Sequence, residues 1–166
     1  SQKALYALLL SQAYDKNDTE ITSDSLITIA TRYFDDKQPV RAGYAWFYAA
    51  RCARNRNDQE VEANALLKAQ DFAEMTENFK LKGLIYTEKA MLLQSQMQFD
   101  SMIVENKKGY YEFLKSNDVR NAVLTSISIG YGFSHLEQYD SAIHYYNIAM
   151  KLSTSLHDNT LTNTIY

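Results

Sequence analysis

The chain has 166 residues, 46% of them hydrophobic, enough for a substantial core and too many for a disordered segment. Its 17 Lys and Arg stand against 20 Asp and Glu, a net charge of −3, so no basic surplus exists to neutralise a run of phosphates and nucleic-acid binding by this segment is argued against. One cysteine, Cys52, excludes an internal disulfide and a cysteine-built metal site, while one proline and five glycines are few for a β protein and ordinary for stacked helices.

Helical patterning runs nearly end to end and predicts helices over 2–15, 22–35, 39–55, 58–75, 80–96, 99–115, 118–136 and 139–153. The first contains ALYALLL behind Lys3, a stretch with the outline of a short signal-peptide core that also fits the helical pattern. No apolar run approaches the ~20 residues of a transmembrane helix. The chain opens on Ser1 rather than a methionine, which leaves room for a natural start upstream. The cytoplasm is the favoured location, with the periplasmic face of an anchored protein as the alternative.

The helices are separated by short polar connections, DKNDTEIT, DDKQ, NRND, ENFK, QSQMQ, KSND and HLEQ, of the length that joins antiparallel neighbours. Pro39 stands where it would open a helix. Asn57-Asp58 with Glu60 behind supplies an N-cap and an acidic first turn, and Ser116-Asn117-Asp118 supplies another set of caps. The acidic pairs Asp35-Asp36 and Glu60/Glu62 are expected to be solvated connections or helix starts, and Cys52 a buried small residue.

Internal repetition is visible at a step of 40: Ala50, Ala90 and Gly130 are small residues in the middle of alternate helices. Four residues before them stand Trp46, Tyr86 and Ser126; three after them stand Ala53, Leu93 and Phe133. A further step of 39 reaches Ser11, with Tyr14 behind it. Gly130 and Gly132 read either as loop residues or as the close crossing of two helices. The spacing of Ala142, Tyr146 and Ala149 favours the crossing, with Tyr146 filling the space between one unit and the next.

These residues make the chain resemble the tetratricopeptide repeat family, whose pattern is W-x2-L-G-x2-Y followed by A-x3-F. Ile129-Gly130, Phe133, Ala142, Tyr146 and Ala149 carry the resemblance most fully, with Tyr139 as the aromatic opening the second helix and Ser126 as the departure. Trp46, Ala50, Ala53, Leu66 and Ala69 fit except for Glu62 at a small-residue site. Tyr86, Ala90, Leu93, Phe99 and Met102 carry a third unit, and Ser11, Tyr14, Ser23, Ile27 and Ala30 a worn first one. HEAT-like repeats share the long period and are the rival architecture. The resemblance implies an all-α right-handed superhelix, a single array over 1–166. Its repeats would be 2–37, 39–76, 79–116 and 118–155, with 159–166 opening a truncated fifth.

It also implies a concave groove lined by the first helix of each unit. Transferred residue by residue, the groove set is Gln12, Phe47, Arg51, Arg54, Asn55, Thr87, Met91, Gln94, Tyr131, Ser134 and His135. Arg51 and Arg54 would hold carboxylates, over an apolar floor of Phe47, Met91 and Tyr131. The family's clamp for a C-terminal carboxylate is not reproduced, since Leu8 and Gln12 hold its first two sites.

No catalytic or metal-ligand motif is present: His135, His144 and His157 make no H-x-x-x-H pair, and no glycine-rich phosphate loop occurs. The expected function is therefore non-enzymatic and without a cofactor or metal: protein or peptide binding, in the manner of sensory or scaffolding parts of bacterial regulators. A small-molecule or signalling-peptide sensor, and a self-association module dimerising through its uncapped C-terminal end, are the alternatives.

Overall fold

A computed structural model describes residues 1–17, 19–35 and 37–154. Asp36, His157 and the segment Asn159–Tyr166, to which a fifth repeat was assigned, lie outside the described residues. Among the described residues the protein is all-α, with no strand and eight helices. These are α1 (Gln2–Lys16), α2 (Ser25–Phe34), α3 (Pro39–Asn55), α4 (Gln59–Glu74), α5 (Phe79–Ser95), α6 (Phe99–Lys115), α7 (Val119–His135) and α8 (Tyr139–Thr154). All eight predicted helices exist. The largest boundary difference is at α2, which starts at Ser25 rather than 22.

The helices start where side chains satisfy their first amides. Asp58 Oδ1 accepts from Val61 N at 3.2 Å and Asp118 Oδ1 from Asn121 N at 3.2 Å. Asn78 Oδ1 does the same for Leu81 N at 3.0 Å, and Pro39 occupies the first turn of α3.

Their ends are more regular still. Asn57, Met97, Asn117 and Glu137 are in the left-handed region, with φ of 57, 60, 54 and 59°. The next amide in each case reaches back five residues: Asp58 to Ala53 O, Gln98 to Leu93 O, Asp118 to Phe113 O and Gln138 to Phe133 O, at 2.9–3.0 Å. This is a Schellman closure, which satisfies carbonyls left open at a helix end. Its acceptors include Ala53, Leu93 and Phe133, three positions already marked by the step of 40. The α4–α5 connection differs: Thr76 Oγ1 donates to Ala73 O and accepts from Asn78 N.

Contacts divide the chain into two compact units, residues 1–81 and 82–166. In the first, α1 packs on α2 and α3, α2 on α3, and α3 on α4. Its core is rich in alanine, with Ala42, Ala45, Ala50, Ala53, Ala65, Ala69 and Ala73 all buried beside Phe34, Phe47 and Leu66. In the second unit α7 packs on both α6 and α8. Sequentially paired helices of this kind are the arrangement from which a helical-repeat solenoid is built.

Gly130 and Gly132 are helical and buried, so the loop reading falls away. A Cβ on Gly130 would stand 2.6 Å from Tyr146 Cε1, and one on Gly132 would stand 2.7 Å from Ile103 Cγ1. Two residues apart on a helix means nearly opposite faces. Gly130 thus admits α8 and Gly132 admits α6. Tyr146 is corrected in one respect: its ring lies over Gly130 inside the α7–α8 pair, where the missing Cβ leaves it room. Ala142 and Ala149 are buried on α8, with Ala149 clustered with Val123.

Glu62, expected at a solvated helix start, is instead only 2% exposed. Glu60 remains exposed, because two residues carry the chain to the other side of α4. Asp35 is half-buried and accepts a hydrogen bond from Trp46 Nε1 at 2.8 Å. Cys52 is buried as expected. Among the described residues no helix is long and apolar enough to cross a membrane.

Candidate interaction surface

In the first unit the groove set converges on one polar cluster. Arg51 forms an ion pair with Asp15 of α1, and its guanidinium lies 5.9 Å from the Phe47 ring centre. The Gln12 amide is hydrogen-bonded to the hydroxyl of Tyr48, which is itself buried. Burial, and then the Asp15 carboxylate, push the Tyr48 phenol well above its ordinary value. Phe47 is 2% exposed and belongs to the core, so the floor expected there offers a partner almost no surface. Asn55 Nδ2 donates to Ile21 O at 3.1 Å and Arg56 Nη1 to Thr22 O at 3.0 Å. Together they tie down the α1–α2 connection. Arg54 is half-buried and also engaged.

Ser11, Asp15, Ile21, Ile27, Tyr48, Arg51 and Cys52 line a cavity of about 30 Å³. That is room for about one or two waters. Burial raises the Cys52 thiol, with the neighbouring Arg56 opposing it.

In the second unit the set is more exposed. Tyr131 is 40% and Met91 48% exposed. His135 lies flat on Phe99, ring centres 4.3 Å apart and planes within 6°, and Tyr131 meets the imidazole edge-on at 4.4 Å. One turn of α7 and the first residue of α6 thus make a three-ring platform. Gln94 is half-buried. Thr87 Oγ1 donates to Gly83 O and Leu84 O, and Ser134 Oγ donates to Gly130 O and also pairs with the Tyr146 hydroxyl at 3.4 Å, so both hydroxyls are engaged within the fold. His144 is exposed and edges onto Tyr145. Among the described residues no three His, Cys, Asp or Glu side chains gather as a metal site would need.

Asp15, Tyr48 and Phe99 were not marked as site residues by sequence. Asp15 stands three residues after Gln12, the local hint that it shares a helical face with the groove set. No protein-family model matches the chain, and no curated protein is significantly similar to it.

Proposed function

We propose that this chain is a non-catalytic module of tetratricopeptide character that binds a protein or peptide partner. The observation that carries the reading is the platform of Tyr131, His135 and Phe99, where rings stack in the open instead of in the core. Exposed aromatic anchors on a rigid helix are the commonest source of binding energy at protein interfaces. The Schellman turns at 57, 97, 117 and 137 support the repeat assignment, since one closure recurs at steps of twenty or forty residues. Kinship with the sensory or scaffolding arrays of bacterial regulators follows by analogy from that assignment. The second unit is favoured over the first as the binding surface, because the first spends Gln12, Arg51 and Asn55 on internal bonds.

The test is affinity capture from the source cell with the full-length protein, beside a Tyr131→Ala/His135→Ala variant whose far-UV circular dichroism is unchanged. A partner retained by the native protein and lost by the variant supports the reading. The same set of proteins captured by both sinks it. The cavity beside Arg51 holds little more than water, so it lends no support to a small-molecule sensor.

A further inference from the structure

The α2, α3 and α4 face of the first unit carries a second candidate site that shares no residue with the groove set. A groove of about 450 Å³ lies there, within the size range of ligand sites. Its floor is Ile27, Ala49, Ala65 and the half-buried Trp46; Arg32 and Lys68 stand exposed at its edge.

The charges in this groove are unevenly spent. Asp35 accepts from the indole N–H of Trp46, which also fixes the ring, and Asp24 lies 3.6 Å from Arg56 Nη1. Both carboxylates therefore have donors or cations. The Lys68 ammonium rests 4.1 Å over the Trp46 ring, and Arg32 has no ion-pair partner among the described residues. Among the described residues this leaves two cations without a carboxylate partner above an apolar, pre-set aromatic floor.

We propose that this groove binds an acidic peptide segment, with a carboxylate held by Arg32 and Lys68 and an adjacent apolar side chain set on Trp46 and Ala49. Guanidinium matches carboxylate in a two-point hydrogen bond, and the indole supplies contact area whose orientation is already paid for by Asp35. A nucleic-acid strand is the wrong occupant, because two cations on a chain of net charge −3 can hold one carboxylate but cannot neutralise a run of phosphates. The site is independent of the Tyr131 platform.

Trp46 is the only tryptophan in the chain, so its fluorescence reports this groove alone. The terminally blocked tripeptide Leu-Asp-Leu is titrated into the full chain beside Leu-Asn-Leu, inorganic phosphate, and an Arg32→Gln/Lys68→Gln variant. The expected result is a saturable emission change with the acidic peptide, weakened about fivefold or more both by the Asn peptide and by the variant. If the double variant loses its circular dichroism, Arg32→Gln alone supplies the comparison. Equal response to the Asn peptide, competition by phosphate at equal concentration, or no saturation by about 10 mM peptide would each overturn the proposal.

Discussion

Gly130 shows how a single absent carbon organises its neighbourhood. The Tyr146 ring occupies the volume a Cβ would need, with Cε1, Cδ1 and Cζ at 2.6, 2.8 and 3.0 Å from it. Gly130→Ala should therefore cost about 1–2 kcal/mol despite the better helix propensity of alanine. In a Tyr146→Leu background the same change should cost far less, a coupling measured by a double-mutant cycle in urea. Additive effects would mean that the ring is not what the glycine accommodates. Tyr48 gives a pH prediction at the same scale. Its phenol is held neutral by burial, so its folded pKa lies above the unfolded value of 10.0. Its stabilising contribution is complete below pH 10 and is lost as pH rises further, because the unfolded chain then releases a proton that the folded one keeps. Unfolding free energy should fall above about pH 10, with a shallower slope in Tyr48→Phe. Residue identity told part of this in advance. Small residues at 130, 142 and 149 announced close packing, but the partner across the gap was not in the string. Arg51 reads as a free cation until Asp15, thirty-six positions earlier, is found beside it. Glu62 reads as a solvated acid until α4 is rolled onto its core face.

Helix ends were legible to within a residue or two wherever caps are local. Asp58, Asp118 and Pro39 act within one turn, and a string of letters records one turn faithfully. The start of α2 was not, because the Ile21 and Thr22 carbonyls are held outside the helix by Asn55 and Arg56, more than thirty residues away. The left-handed turns give the element-scale prediction. Asn tolerates φ near +57°, but Met97 and Glu137 adopt it without such compensation. Glu137→Gly should raise stability by about 0.5–1 kcal/mol, whereas Asn57→Gly should change it little; thermal melts of the two variants make the comparison. A fall in melting temperature for Glu137→Gly would show that its side chain outweighs its backbone.

For the whole molecule, the all-α class and the pairing of successive helices followed from composition and periodicity, whereas the exposure of each helix face depended on which neighbour covered it. Met91 and Tyr131 are open as their positions suggested, and Phe47, at a formally similar position, is sealed. Contacts concentrate within two units, and stability in repeat-like chains is a sum of local and nearest-neighbour terms. Gly130→Ala should accordingly move the urea midpoint seen by far-UV circular dichroism more than the midpoint seen by Trp46 fluorescence, since Trp46 lies in the other unit. Equal displacement of both midpoints would show that the chain unfolds as one cooperative block.

The recurring turn also acts as a metronome. With reversals at 57, 97, 117 and 137, the chain between them has a set beat, and its two neighbours on either side of α7 are addressed by residues only two steps apart. Inserting one residue between Gly130 and Gly132 would swing everything after it by about 100° around the helix axis. Tyr146 and Ile103 could then no longer both find a hollow. Such a protein can exchange letters freely along its outer faces, yet it can lengthen or shorten only by whole bars.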